Sequence, residues 1–105
     1  MVLAESVQRA AACLHAARPQ ATIILFGSQA RGDARPESDM DFLVVQSAVE
    51  SRREEMTRLS NLLRPLRVPA DVLVASRRTF EKWAAVPGTI YHTALTEGRV
   101  MYGSA

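Results

Sequence analysis

Two short apolar runs on either side of a polar segment restrict the possible folds of this chain most strongly. Residues 22–26 are rich in β-branched and aromatic side chains and are followed by Gly27, which predicts a buried strand. Residues 39–45 form a second run that is almost continuously apolar after its first three positions. Such a run predicts a strand covered on both faces. The glycine, proline and charges of residues 28–38 predict a short helical turn followed by a loop.

Helical patterns and a third strand follow from the rest of the chain. The first expected helix starts at Leu3 and stops before Pro19, and the second runs from a capping box at Ser47–Glu50 to about Arg64. A strand is expected at 71–74, followed by a short helix that is N-capped by Ser76 and ends at Pro87-Gly88. The last expected elements are a helix at about 89–97, capped by Gly98, and an edge strand at 100–102. Helices that alternate with three or four strands predict an α/β (α+β) fold with a small mixed sheet flanked by helices.

Composition narrows the class of protein. A chain of 105 residues is expected to form a single domain over 1–105. The net charge is only +2 and the basic residues are not clustered, so direct nucleic-acid binding is not expected. Cys13 is the lone cysteine and offers no disulfide or zinc spacing. Without a signal-peptide pattern or an apolar run long enough for a bilayer, the protein is expected to be cytoplasmic and to bind no membrane.

Three aspartates are placed as a metal site requires. Asp39 and Asp41 are separated by one residue, and strand side chains alternate, so both are expected on one face of a strand. Asp71 opens the third apolar run, and its strand can lie beside the second. Three neighbouring carboxylates repel one another unless a cation is present. Oxygen ligands suit Mg²⁺, and a pair of such ions can support displacement at a phosphate, so we expect two Mg²⁺ ions here.

A phosphate-binding turn is expected just before these carboxylates. Gly27 permits close approach of the backbone to a ligand, and the Ser28 hydroxyl can donate to a phosphate oxygen. Arg31 can contact the same phosphates, but a salt bridge to Asp33 or Glu37 is an equally good interpretation.

The motif as a whole resembles that of a known superfamily. Its parts are Gly27-Ser28, Ala30-Arg31-Gly32 and Ser38-Asp39-Met40-Asp41. This arrangement resembles the signature of the DNA polymerase β-like nucleotidyltransferases, and residues 27–42 are similar to its minimal nucleotidyltransferase branch. The C-terminal stretch 94–102 also looks like the usual ending of that branch.

The resemblance implies an activity and assigns roles to residues. It implies a nucleotidyltransferase fold and the Mg²⁺-dependent transfer of a nucleoside monophosphate, here AMP from ATP. Asp39 and Asp41 would bind metal and nucleotide, and Asp71 would assist catalysis from a neighbouring strand. Gly27 and Ser28 would hold the triphosphate.

The resemblance also implies a partner. Members of the branch commonly act beside a HEPN-domain ribonuclease toxin and serve as its antitoxin, in characterised cases by adding AMP to a toxin tyrosine. The chain is too short for a separate acceptor domain, which favours an acceptor on a second protein. Two alternatives remain open: a non-catalytic module that neutralises its partner by occlusion, and a transferase acting on a small hydroxylated molecule such as an aminoglycoside.

Overall fold

The computed structural model describes residues 4–32 and 39–103. Its elements in chain order are α1 (Glu5–Ala17), β1 (Thr22–Phe26), α2 (Ser28–Arg31), β2 (Met40–Gln46), α3 (Arg52–Leu63), a 3₁₀ turn (Arg64–Leu66), β3 (Ala70–Ser76), α4 (Arg77–Ala84), α5 (Ile90–Glu97) and β4 (Arg99–Tyr102). The predicted mixed sheet flanked by helices is therefore confirmed. Over the same described ranges, no helix is both long and apolar enough to cross a bilayer.

The four strands form one sheet in the order β3-β2-β1-β4. β1 is antiparallel to both β2 and β4, whereas β2 and β3 are parallel and are connected through α3. Because β1 is antiparallel to β2, and β2 is parallel to β3, the C-terminal end of β1 and the N-terminal ends of β2 and β3 lie at the same end of the sheet. All predicted site residues of the described chain lie at or next to this end of the sheet.

Helices cover both faces of the sheet. One face packs against α1 and α3 through a larger set of buried residues, which includes Val7, Leu14, Phe42, Val44, Leu59, Leu63, Val72 and Val74. The opposite face packs against α4 and α5 through a smaller set, made of Ile24, Leu43, Val45, Ala75, Phe80, Ala84 and Ala94. β2 contributes to both sets, which explains why its sequence is nearly continuous in apolar residues.

Two predicted element boundaries are wrong. α3 begins at Arg52, and its N-cap is Ser51, whose hydroxyl accepts from the Glu54 N–H at 3.3 Å. The capping box predicted at Ser47 is not used, because β2 extends to Gln46 and the chain needs the next residues to turn toward α3. β2 itself starts at Met40, so Asp39 immediately precedes the strand. The loop predicted through 33–38 lies outside the described residues.

A buried carboxylate connects α1, β2 and α3 at the opposite end of the sheet from the motif. Glu55 accepts from the Arg18 guanidinium at 2.6 and 2.8 Å, from the Gln46 amide at 2.6 Å and from Arg58 at 2.8 Å. These hydrogen bonds, above all those from Arg18, lower the pKa of Glu55 to about 2. Arg58 thus forms its ion pair with the inward-facing Glu55 three residues before it on the same helix.

Candidate active site

The end of β1 and the starts of β2 and β3 bring two predicted carboxylates together. Phe26 pairs with Asp41 across the antiparallel ladder, and Asp41 pairs with Asp71 across the parallel one. Residues in register on neighbouring strands project from the same face of a sheet. Asp71 therefore lies beside Asp41, as the sequence predicts, on the face covered by α4 and α5.

The third carboxylate, that of Asp39, lies close enough to Asp41 to affect its pKa. Burial, then the charges of Asp71 and Asp39, raise the pKa of Asp41, and the charge of Arg31 acts in the opposite direction. Within residues 4–32 and 39–103, no three His, Cys, Asp or Glu side chains are close enough to form a ready-made metal site. The structure thus brings Asp41 and Asp71 together as neighbours and leaves Asp39 exposed at the entrance to β2.

Gly27 lets the turn after β1 pack directly against Asp41. Its φ is +80°, and a Cβ built on it would lie 2.5 Å from Asp41 Oδ2. Its carbonyl accepts from the N–H groups of Ala30 and Arg31, which starts α2 at Ser28. A glycine is therefore required here both by the backbone angle and by the space that the carboxylate fills.

We expect Gly27→Ala to impair the site far more than a glycine replacement elsewhere. The added methyl group must displace the Asp41 carboxylate, so we predict a loss of activity of about a hundredfold or more and a fall in the free energy of unfolding of about 1–3 kcal/mol. Chemical denaturation would measure the change in stability, and an assay of the nucleotidyl transfer that the sequence resemblance implies would measure the change in activity.

Gly88→Ala is the matched control. Gly88 also has a positive φ, +91°, but within residues 4–32 and 39–103 no atom beyond its chain neighbours lies within 4 Å of the position that an added methyl group would take, so only the backbone strain is shared. If both variants were equally active, contact between Gly27 and Asp41 would not matter to the reaction.

Arg31 lies near the carboxylates and faces α5. Its guanidinium is 3.8 Å from a Glu97 carboxylate oxygen, and both side chains are about half exposed, at 45% and 48%. An exposed ion pair of this kind contributes little to stability, so Arg31 can exchange Glu97 for a ligand phosphate. The alternative partners predicted from sequence, Asp33 and Glu37, lie outside the described residues.

A cleft of about 580 Å³ opens beside the two carboxylates. Its lining consists of Asp41 and Asp71, their strand neighbours Phe26, Val72 and Leu73, the α3 residues Met56, Thr57, Ser60 and Asn61, and Ile90 at the start of α5. Sequence reasoning missed the contribution of α3, because its polar residues fit the outer face of an amphipathic helix. The available signal was the uncharged character of Thr57, Ser60 and Asn61 on a helix rich in Arg and Glu.

A second cavity, of about 280 Å³, lies around Arg18, Gln46 and Glu55 at the far end of the sheet. Arg18, Gln46 and Arg58, which line it, are already hydrogen-bonded to Glu55. A ligand there would have to compete with those hydrogen bonds. The cleft beside Asp41 is therefore the better candidate for binding a charged substrate.

Comparison with known proteins agrees with this geometry. Residues 7–93 match the family model described as Nucleotidyltransferase domain. The chain is 36% identical over 80 residues, 76% of each chain, to the "Putative protein adenylyltransferase" of Methanocaldococcus jannaschii.

Solved structures share the fold at low sequence identity. A toxin-antitoxin crystal structure with AMP-PNP matches 96% of this chain and 75% of its own, with a TM-score of 0.67 and 19% identity. A chain from Sulfolobus solfataricus, described as a "putative nucleotidyltransferase", matches 74% of this chain and 70% of its own, with a TM-score of 0.57 and 22% identity. A chain of the toxin-antitoxin MntA-HpeT, in a mutant with two Asp-to-Glu changes, matches 89% of this chain and 69% of its own, with a TM-score of 0.54 and 21% identity.

Proposed function

The chain belongs to the nucleotidyltransferase domain family, and from this premise we propose that it transfers AMP from ATP to a partner protein. Asp39, Asp41 and Asp71 would form the metal-binding carboxylate set. Gly27, Ser28 and Arg31 would bind the triphosphate. The observation that carries this proposal is the register of β2 and β3, which sets Asp71 beside Asp41 at the turn where Gly27 contacts the same carboxylate.

The electrostatics of the carboxylates fit a divalent cation. Asp41 lies where burial and two like charges, Asp71 and Asp39, raise its pKa and disfavour its ionised form. A cation held by these oxygens would offset that cost, and all-oxygen donors are those that Mg²⁺ prefers. When bound, Mg²⁺ ions would neutralise triphosphate charge and stabilise the entering and leaving oxygens of an in-line displacement.

The residues of the chain then have distinct tasks. The Ser28 hydroxyl and the Arg31 guanidinium would hold phosphate oxygens at the turn that Gly27 creates. The acceptor hydroxyl oxygen forms a bond to the α-phosphorus, the bond from that phosphorus to the bridging oxygen breaks, and pyrophosphate leaves. Asp71, on the outermost strand, would take the proton from the acceptor hydroxyl.

The acceptor is proposed to be a HEPN-type ribonuclease toxin, which this chain would neutralise as its antitoxin in the cytoplasm. Two comparisons support a protein acceptor: the relative named as a protein adenylyltransferase, and the toxin-antitoxin structures with the same fold. The structure with AMP-PNP, an ATP analogue, supports ATP as the nucleotide.

Transfer of label from ATP is the direct test of this function. The chain is mixed with Mg²⁺, labelled ATP and the protein encoded beside it, and label is expected on that protein with the wild-type chain but not with Asp39→Ala. Label that survives Asp39→Ala, or absence of label on the neighbouring protein, would contradict the proposal. If the toxin were still neutralised without any label, the occlusion alternative would take its place.

A further inference from the structure

One half of the cleft beside Asp41 is an apolar surface that begins next to the phosphate-binding turn. It is formed by the side chains of Phe26, Leu73 and Ile90. Resting on the function proposed above, we infer that these three residues form a base platform, against which the base of the nucleotide lies while its triphosphate is held at the Gly27-Ser28 turn. The inference depends on the face of the sheet that the platform occupies, on its accessibility and on the charge of the cleft.

The strand register places the base platform on the same face of the sheet as two carboxylates. Phe26 pairs with Asp41, and Asp41 pairs with Asp71. Leu73 follows Asp71 by two positions on β3, and side chains two positions apart on a strand project from the same face. Ile90 is the first residue of α5, one of the helices that cover this face. Two strands and a helix therefore supply one apolar surface beside the proposed metal ligands.

The platform side chains are accessible from the cleft. Ile90 is 41% exposed. Phe26 and Leu73 are half-buried, because they pack against the smaller core set and also line the cleft. Their packing holds them in place before a ligand binds, so covering them with a flat aromatic ring gains apolar contact at little cost in side-chain entropy. The cleft volume of about 580 Å³ is in the range of pockets that hold small molecules.

The position of Phe26 explains why the nucleoside reaches this half of the cleft. Phe26 directly precedes Gly27 in the chain and lies opposite Asp41 in the antiparallel ladder. Phosphates held at the turn and a cation held at Asp41 would both border this side chain. The nucleoside is attached to the α-phosphate, the group between them, and so it begins beside Phe26. Leu73 and Ile90 extend the apolar surface from there.

The charge of the cleft agrees with this orientation of the nucleotide. Among the described residues that line the cleft, the charged ones are Asp41 and Asp71, and neither lysine nor arginine occurs. Phosphates without a cation would be repelled from this lining, whereas a neutral base would not be. The face of an aromatic base also suits apolar contact, because stacking needs no hydrogen-bonding partner. The phosphates therefore lie toward the turn, and the base lies toward the platform.

Ile90→Ser tests the base platform at its most exposed residue. The change removes apolar surface without adding charge. We expect the Kd for AMP-PNP, measured by calorimetry with Mg²⁺, to rise about fivefold or more. The Kd for tripolyphosphate, which has no base, is expected to change less than about twofold, because the turn that holds phosphate is unaltered.

Val86→Ser is the matched control for this variant. Val86 is 40% exposed, close to the value for Ile90, and is not one of the described residues that line the cleft. Its Kd values for AMP-PNP and tripolyphosphate are both expected to equal those of the wild type.

Phe26→Leu is a second test, because it removes the ring and keeps an apolar side chain. We expect it also to raise the Kd for AMP-PNP about fivefold or more, with the Kd for tripolyphosphate nearly unchanged. Urea unfolding of this variant would show whether the fold is retained, and the exposed Ile90 gives an answer that does not depend on the core.

The outcomes separate the base platform from the proposed function. If both variants bind AMP-PNP with the wild-type Kd, the inference fails, and label transferred from ATP to the partner protein would still support the function. If only the KM for the partner protein rises, the acceptor occupies the platform and the inference is wrong. Equal losses for AMP-PNP and tripolyphosphate would overturn it as well, because the variants would then act on the phosphate site. The proposed function itself is decided by the label assay and not by these Kd values.

Discussion

Asp41→Asn is expected to lower nucleotidyl transfer by about a thousandfold or more, a loss of about 4 kcal/mol in transition-state stabilisation. The same variant is expected to unfold at a denaturant concentration no lower than that of the wild type. Both effects have one cause: Asp41 is half-buried beside Asp71 and near Asp39, and these surroundings raise its pKa. Removing the charge relieves repulsion in the free protein and would remove one of the proposed metal ligands from the active one. Single-turnover transfer assays and urea unfolding would measure the pair of effects.

A surface carboxylate provides the control for that result. Glu81→Gln removes the same charge from an exposed position on α4 and should leave both activity and stability unchanged. Asp41→Asn with a tenth or more of wild-type activity would exclude Asp41 from the reaction. A variant that lost activity only because it unfolded would mean that Asp41 has a structural role.

Glu55→Gln is expected to destabilise the fold by about 2–3 kcal/mol. The Glu55 side chain is only 8% exposed and joins Arg18 of the α1 C-terminus to β2 and α3. A glutamine of the same size keeps the volume but leaves the Arg18 guanidinium without its counter-charge. Urea unfolding at neutral pH measures the change in free energy of unfolding.

The free energy of unfolding measured at acid pH shows whether the charge of the Glu55 carboxylate causes this stabilisation. The folded-state pKa of Glu55, about 2, lies below its ordinary value of 4.5, so folding favours the ionised form. Its contribution is therefore complete above about pH 5 and is lost as the pH falls toward 2. The difference in stability between wild type and Glu55→Gln should shrink over that interval. Glu54→Gln, at an exposed neighbouring position, should show no such convergence, and a difference independent of pH would contradict the argument.

The arrangement of the candidate site followed from simple patterns in the sequence. Apolar runs of strand length flanked the motif and predicted the strands that carry Asp41 and Asp71, whereas the strand alternation expected to relate Asp39 to Asp41 does not apply, because Asp39 precedes β2. The apolar character of β2 predicted cover on both of its faces, and the apolar run that Asp71 opens predicted a further strand that can lie beside it. These features are local, or depend on strand period, and so can be read without knowledge of tertiary contacts.

Other features depended on contacts between distant residues. Ser47 and Ser51 are both followed three residues later by a glutamate, and only the extension of β2 to Gln46 decides between them. Glu55 looks like a solvent-exposed helix residue until Arg18, 37 positions away, is placed against it. The cleft wall on α3 was missed for a related reason: Thr57, Ser60 and Asn61 make one part of the helix surface polar but uncharged, and only the tertiary packing of α3 places that surface at the cleft.

A crystal structure with a non-hydrolysable ATP analogue and Mn²⁺ tests the central claim most directly. Anomalous scattering would locate the metal independently of the nucleotide. We predict metal bound to the carboxylates of Asp39, Asp41 and Asp71, with the phosphates at the Gly27-Ser28 turn. Nucleotide or metal bound instead in the cavity around Arg18 and Glu55, with no contact to Asp41, would contradict the account.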